Sequence, residues 1–503
     1  MVDHDRLLRT DHLQADLRRR SVRGGAVLVV EQALQFAIQM VAVAVLARLL
    51  VPADFGLVAM VVAMTTLVGM LRDLGLSTAT VQRADLTHAQ VSVLFWLNVG
   101  LGVLASLVVA GLAPAVAAFY GDARLTAVTW ALAGSFLLAS LSAQHLALLR
   151  RQMRFASLAR IELAAALVGA AAAVGAAWRG AGYWALVTQP LVAQVVLGAL
   201  VWWSSGWRPQ RPKRGAGSGA MLAFGGHLTG FRLATYVAQN LDDVLIGRTA
   251  GSAALGLYSK AYSLLMMPVH RISGPVSAVA IPALSRLQHE PRRFREFYLQ
   301  ATLLICAAGM PLVTLLFVMA EEAVLLVLGP QWGGAVPLFR ALAPAALFAT
   351  FNASGSWACV PLGRVRRLFW WQVAASTVVA IALVVGVRWG ALGVAAAYSV
   401  AVVLTRFPGL AVLLRGTPVS VGDVAAVVTR PAVVSVLAGV GLAGARWLLP
   451  TAPGYGAGLA FALGIGVAAF AGLYAGLWGA TRAGRQQVRR VVQMFRDLRV
   501  PAA

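Results

Sequence analysis

The sequence is poor in charge. Only 12% of its 503 residues are Asp, Glu, Lys or Arg, about half the share of a soluble globular protein. A water-exposed surface for a chain of this length cannot be built from so few charges, which excludes a soluble multidomain enzyme. Acidic residues are scarcest, with 18 Asp+Glu against 42 Lys+Arg. Lysine is nearly missing as well, since Lys213 and Lys260 are the only two; a GC-rich genome writes such a skew, and guanidinium chemistry would select it. The two cysteines, Cys306 and Cys359, both stand in apolar runs, which speaks against a disulfide framework or a thiolate metal site. No G-x-x-x-x-G-K loop followed by Ser or Thr is present, so nucleotide hydrolysis of that type is excluded. Neither G-x-S-x-G nor a Cys/His metal spacing occurs.

What the chain has is apolar length. Residues of the AVILMFWYC set make up 60% of it, and the mean hydropathy is +0.78. This is the composition of an integral membrane protein. The first 23 residues are too long and too mixed in charge for the n-region of a signal peptide. The apolar run behind them exceeds a 7–15-residue h-region, so it reads as a retained first span.

A helix needs about 20 apolar residues to cross a bilayer. That ruler gives fourteen spans, near 24–50, 56–82, 87–111, 124–148, 155–177, 180–204, 217–247, 253–280, 297–320, 334–360, 365–387, 390–414, 425–449 and 455–480. The arginines test the arrangement, because cytoplasmic loops carry the excess of positive charge. With the N-terminus inside, 28 cations fall on the cytoplasmic side, and four, Arg179, Arg248, Arg388 and Arg446, on the other. Both termini are therefore expected in the cytoplasm. A charge spread along one membrane face, with no basic soluble domain to hold it, removes the case for nucleic-acid binding. The tail from Thr481 to Val500 sets Val488, Val491, Val492, Phe495 and Leu498 at helical spacing among arginines, the pattern of an interfacial helix on anionic lipid.

An internal repeat appears at an offset of 200 residues. Arg48, Ala53, Gly56 and Leu57 recur as Arg248, Ala253, Gly256 and Leu257, and Gln39 as Gln239. Weaker echoes follow at larger offsets: Arg151-Gln152-Met153-Arg154 against Arg364-Val365-Arg366-Arg367, and Gly182–Leu186 against Gly390–Val394. Two homologous six-helix halves follow. Since six is even, both insert the same way round, related by an axis along the membrane normal, with the working site between them. The expected organisation is a cytoplasmic segment 1–23, a bundle 24–204, a basic linker 205–216, a second bundle 217–415, two further spans within 425–480 and a basic tail 481–503.

Ionisable residues inside a span are functional candidates by default. In span 1, Glu31, Gln35 and Gln39 stand at i, i+4 and i+8; in span 7, Arg232, Tyr236, Gln239 and Asp243 repeat a one-face spacing beside Asn240 and Asp242. Span 8 sets Lys260 and Arg271 on one face and carries Pro268 and Pro275, while Arg72 and Asp73 lie in span 2. Such groups can be interhelical glue. The spans are nevertheless net cationic, since Arg72, Arg160, Arg232, Lys260, Arg271, Arg340, Arg406 and Arg430 outnumber Glu31, Asp73, Glu162, Asp242 and Asp243. Guanidinium in excess suits an anionic substrate. His145, His227 and His270 read as neutral histidines rather than proton carriers, and Glu321-Glu322 as the solvated end of span 9.

Several of these residues form recognisable stretches. Asp54-Phe55-Gly56-Leu57-Val58-Ala59-Met60, Asp73-Leu74-Gly75-Leu76-Ser77 and Leu94-Phe95-Trp96-Leu97-Asn98 resemble the first half of the Wzx-type polysaccharide flippases. Gln239 to Arg248, Ala254 to Tyr262 and Ile281-Pro282-Ala283-Leu284-Ser285-Arg286 resemble the second, and the likeness covers about residues 20–415. The resemblance implies membership of the multidrug/oligosaccharidyl-lipid/polysaccharide exporter superfamily, with a V-shaped pair of six-helix bundles in the bacterial inner membrane. It further implies transport of undecaprenyl-diphosphate-linked oligosaccharide, partnered by a polysaccharide polymerase and export machinery, with spans 13 and 14 grooved for the lipid tail. On that reading Arg232, Arg271, Lys260 and Arg72 hold the diphosphate, and Gln35, Gln39, Tyr236, Gln239 and Asn240 meet sugar hydroxyls. Asp242, Asp243 or Glu31 would carry a coupling proton or sodium ion, and no cofactor is called for. Two alternatives stay open: a lipid II or multidrug exporter of the same superfamily and, from another class, a membrane glycosyltransferase or polymerase, which would need a sizeable extramembrane domain with catalytic acids.

Overall fold

The computed structural model describes residues 17–73, 77, 80–81, 86–211, 240–446 and 457–480. The expected interfacial tail, His227 and most of span 7 lie outside them. Every regular element among the described residues is helical. They are α1 (Leu17–Leu49), α2 (Pro52–Asp73), α3 (His88–Tyr120), α4 (Arg124–Arg151), α5 (Phe155–Trp178), α6 (Trp184–Ser205), α7 (Leu241–Arg286) and α8 (Pro291–Val318). There follow α9 (Ala320–Leu328), α10 (Ala335–Ala349), α11 (Ala353–Cys359), α12 (Val365–Gly386), α13 (Gly390–Leu414), α14 (Val421–Arg446) and α15 (Ala457–Ala480).

Twelve stretches among the described residues are long and apolar enough to cross a membrane. One of them, Val365–Leu414, holds two expected spans joined by the tight turn Val387–Trp389, and Leu241–Arg286 holds span 8 with the end of span 7. Exposed tryptophans mark the helix ends: Trp178, Trp203, Trp370 and Trp389 are 59–82% exposed, as in the aromatic belts at membrane surfaces. Local chemistry sets the boundaries. Thr87 and Gln90 make a reciprocal capping box at the start of α3, and Ser420 and Asp423 exchange side chain to backbone bonds in the same way at α14. Helix α3 runs past the expected end at 111, through Pro114, to the left-handed Gly121 (φ 74°), because neighbouring helices in a bundle tolerate an internal proline.

The chain divides into two compact units at Gly256–Leu257, within α7. In the first, α3 packs on α4, α5 on α6, and α1 on α5. The basic linker is strapped down as far as it is described. Trp207 is fully buried against Val91, Phe95 and Leu148, Trp96 Nε1 donates to the Gln210 carbonyl at 2.8 Å, and the Gln210 N–H donates to Ser92 Oγ at 3.0 Å. In the second unit the main core gathers Leu284, Phe294, Tyr298, Met310, Phe351, Trp357 and Leu410. Helix α14 lies against α8 and α15 against α14, through Met319, Ala438, Leu442 and Phe470.

The basic and the sparse faces of each unit are both visible. Arg154 Nη1 donates to the Ser204 carbonyl on the basic side of the first unit, and Arg295 pairs with Asp423 on that of the second. On the sparse side Arg124 lies over Tyr183 (6.0 Å) and Arg248 over Phe119 (5.9 Å). Arg48 and Arg124 occupy the same ends as Arg179 and Arg248 and raise the sparse side's tally from four to six. Asp122, in the turn before α4, has its carboxyl held below the ordinary value by the Arg124 guanidinium bonded to it at 2.7 Å. One local expectation is corrected: Glu322 is not solvated. It begins the short, unforeseen α9, is 8% exposed and pairs with Arg446, which also donates to the Val318 carbonyl at 2.6 Å. The pair ties α14 to the end of α8.

The 200-residue repeat returns as geometry. The break between α1 and α2 at Leu50-Val51 recurs at Gly251, where the α7 backbone leaves helical angles (φ 82°, ψ 179°). Just beyond, Gly56 and Gly256 face each other's segments. A Cβ on Gly56 would overlap the Ser252 carbonyl oxygen, and one on Gly256 the Pro52 carbonyl oxygen. Residues 52 and 56 thus meet 252 and 256 reciprocally, the pattern a local two-fold generates. Gly56→Ala and Gly256→Ala should each lower stability by about 1–3 kcal/mol through overpacking. Gly100→Ala, with open space around its Cα, should instead be neutral or stabilising by about 1 kcal/mol. Unfolding midpoints of the detergent-purified variants check this, and equal losses at all three positions would refute the crossing.

Candidate functional site

The polar stripe of α1 is graded. Glu31 is buried, Gln35 half-buried and Gln39 exposed, because residues four apart on a helix drift by about 40°. The Glu31 carboxyl interacts with Glu162 of α5, like charge against like, and Arg150 Nη2 lies 3.6 Å from Glu162 Oε1. The sequence marks Glu162 only as an in-span acid, and no spacing links it to Glu31. A second acidic pair opens α7: Asp242 is buried and Asp243 half-buried, each acting on the other, at a helix N-terminus that favours negative charge. Asn240 precedes them, half-buried. Arg232, Tyr236 and Gln239 lie outside the described residues, as does the side chain of Arg72.

In the second unit Lys260 is half-buried and Arg271 exposed on one face of α7, with about 16 Å of helix rise between them. Of the other in-span cations, Arg340 is exposed and Arg430 lies over the Trp478 ring at 5.7 Å. Arg406 is the most elaborately placed. It is half-buried in α13, donates to Asn352 Oδ1 and stands 5.9 Å from the Phe351 ring. Its Nε is buried and has no hydrogen-bond partner among the described residues, and Tyr398 acts on its charge. The Tyr398 hydroxyl is 3.5 Å from that of Tyr262, whose ring stacks on Tyr258 at 6.3 Å.

Asn352 occupies a break in mid-span. Between α10 and α11 the chain tightens into i→i+3 bonds, with Asn352 N donating to Ala349 O and Ser354 N to Phe351 O. Irregular backbone at membrane depth occurs where it is enclosed by protein or lines a cavity, and discontinuous helices of this kind build transporter sites. The sequence singled out Arg406 but not Asn352, Tyr262 or Tyr398. The available signal was tyrosine amid apolar spans, with Arg406 eight residues beyond Tyr398. Arg406, Asn352, Tyr398 and Tyr262 form a donor-rich cluster suited to hydroxyl or anionic groups. Of the in-span histidines that are described, His145 is buried and stacked on Trp202 at 4.3 Å and His270 is exposed.

A bundle of long apolar helices with these polar breaks has the build of a multi-pass membrane protein. Residues 45–337 match the family described as polysaccharide biosynthesis protein, and the chain belongs to that family. The teichuronic acid biosynthesis protein TuaB of Bacillus subtilis is 29% identical over 64% of this chain and 67% of its own length. The lipopolysaccharide biosynthesis protein WzxC of Escherichia coli is 25% identical over 75% and 77%. The succinoglycan biosynthesis transport protein ExoT of Rhizobium meliloti is 25% identical over 71% and 72%. Among solved structures, the lipid II flippase MurJ in an inward closed conformation superposes with a TM-score of 0.71 at 10% identity, covering 91% of this chain and 99% of that one. An inward-facing MATE-family multidrug resistance transporter gives 0.61 at 13% identity, covering 78% and 95%. The two likenesses establish the fold.

Arg406 yields a test of whether its cluster serves structure or ligand. Removing one partner of a buried ion pair costs about 3–5 kcal/mol because the other charge is left stranded, but the bonded partner of Arg406 is the neutral Asn352 amide. Because no charge is stranded, Arg406→Met should keep or raise the unfolding midpoint. A clear fall would assign Arg406 to architecture alone.

Proposed function

We propose that the protein is an inner-membrane flippase that moves an undecaprenyl-diphosphate-linked oligosaccharide from the cytoplasmic to the periplasmic leaflet by alternating access, with both termini in the cytoplasm. The family match across residues 45–337 carries this reading, and relatives named for teichuronic acid, lipopolysaccharide and succinoglycan synthesis support it. The polar groups fit such a substrate. Guanidinium binds phosphate through paired N–H groups, and Arg271, Lys260, Arg232 and Arg72 are the proposed diphosphate ligands. Gln35, Gln39, Tyr236, Gln239 and Asn240, joined by Asn352, Tyr262 and Tyr398, are proposed to meet sugar hydroxyls.

The acidic pairs have a different task in this scheme. Two neighbouring carboxyl groups, Glu31 with Glu162 or Asp242 with the adjacent Asp243, favour binding of one proton or one sodium ion, since like charges in a low-dielectric site resist joint ionisation. Cation entry would then drive the change of access. The halves 24–204 and 217–415, the linker 205–216 and the helices within 425–480 are proposed as the working parts, with α14 and α15 receiving the lipid tail. A multidrug exporter of the same fold is the second reading. The cationic balance of the spans disfavours it, because a site for cationic drugs calls for acidic or apolar walls.

Deleting the gene should cause a lipid-linked oligosaccharide to accumulate in the inner leaflet, detectable by mass spectrometry of lipid extracts. Complementation with Arg271→Ala or Arg406→Met should fail to restore surface polysaccharide at normal protein level, and Glu31→Gln should reduce it. Normal surface polysaccharide in the deletion strain would end the flippase reading, and full complementation by Arg271→Ala would remove that residue from the phosphate site.

A further inference from the structure

The arginine cluster at the start of α12 does more than close a turn. Arg364 donates to the Arg415 and Gly416 carbonyls at 2.7 and 2.6 Å, and Arg367 donates to Arg415 as well. These bonds staple the start of α12 to the end of α13. The first unit has the same staple, Arg154 to the Ser204 carbonyl at 3.2 Å between α5 and α6. In the register that aligns Arg154 with Arg367, the second unit has Arg366 where the first has Met153, and Trp370-Trp371 where it has Ser157-Leu158. The staple belongs to the repeat; the extra arginine and the tryptophan pair do not.

These additions surround a cavity of about 590 Å³ lined by Arg364, Arg366, Arg367, Trp370, Trp371 and Val412. Among the described residues no acidic side chain lines it. Arg366 is exposed and Trp370 is 59% exposed. The Trp371 wall is fixed, because its indole lies directly on Gly409 of α13, where a Cβ would be 2.6 Å from Nε1. Three cations at a helix N-terminus oppose the helix dipole, an arrangement that an anion would relieve. Behind the arginines, Trp370, Ala374, Val378 and Ile381 follow one face of α12, and Val378 and Ile381 are 44% and 59% exposed. A charged mouth thus opens onto an apolar lane, with tryptophan at the level where headgroup meets acyl chain.

We propose that this groove binds an anionic phospholipid. Its phosphate meets Arg366 and the uncommitted N–H groups of Arg364 and Arg367, and its acyl chain runs along Val378 and Ile381. Basic pockets between transmembrane helices recognise acidic headgroups in this way. A zwitterionic lipid would place its ammonium group among three guanidinium groups with no carboxylate to receive it. The proposal stands apart from the flippase reading, since no residue assigned to the oligosaccharide takes part.

Native mass spectrometry of the full-length protein, equilibrated with equal amounts of phosphatidylglycerol and phosphatidylcholine, tests it. The wild type should retain phosphatidylglycerol selectively. Arg366→Gln should reduce that retention about fivefold, the worth of one arginine at a lipid surface, and Trp370→Ala should also lower it. Arg388→Gln, an exposed arginine at the opposite end of α12, should leave it unchanged. Equal retention of the two lipids, or unchanged retention in Arg366→Gln, would overturn the proposal. So would a co-purified isoprenyl diphosphate whose release follows Arg366→Gln, because the groove would then belong to a transported lipid.

Discussion

Hydrocarbon offers the peptide backbone no hydrogen-bond partner, and the rest of this structure follows from that constraint. Each N–H and C=O inside the membrane has to be satisfied by the chain itself, so the spanning elements are helices. Side-chain hydroxyls obey the same rule by bonding back along their own helices, as Thr129 does to the Leu125 carbonyl and Ser435 to that of Pro431. Where a helix stops being regular, a reason is present. At Gly251 the chain takes a positive-φ, extended conformation that favours glycine, and beside the interruption Asn352 turns its side-chain amide oxygen to accept from Arg406.

The helices were legible in the sequence because hydrophobic length is a one-dimensional property. The repeat was legible for a related reason. Gly56 and Gly256 recur because backbone has to approach backbone at both positions, and glycine alone permits that. Helix ends were read less well. Pro114 looks like a stop and is not one, since a soluble-protein rule about proline does not carry over to a bundle in lipid. Glu322 looks solvated from its place beside Glu321, but its partner Arg446 is 124 residues away.

The site was half legible. Single charges in apolar runs can be read off directly, so Glu31, Lys260, Arg271 and Arg406 stood out. What they face is a three-dimensional fact. Glu162 opposite Glu31, and Asn352 and Tyr398 beside Arg406, are joined by no sequence spacing. Tyr262 and Tyr398 were passed over because tyrosine is unremarkable in an apolar span until its hydroxyl has a neighbour.

The repeat makes departures from symmetry informative. If the halves arose from one ancestral unit, shared features such as the arginine staples at Ser204 and Arg415 are architecture, and differences mark specialisation. The facing carboxylates of Glu31 and Glu162 belong to the first unit, while the guanidinium and phenol cluster of Arg406 belongs to the second. Opposite charges placed together would neutralise each other as an ion pair and bind neither a cation nor an anion well. The two carboxylates share one arginine, Arg150 at 3.6 Å from Glu162, and Arg406 bonds the neutral amide of Asn352, so neither cluster is discharged. On the transport reading proposed above, the acidic pair keeps a net charge for a coupling cation and the guanidinium keeps its own for an anionic group of the cargo, so that each can shift the conformational equilibrium without discharging the other's site.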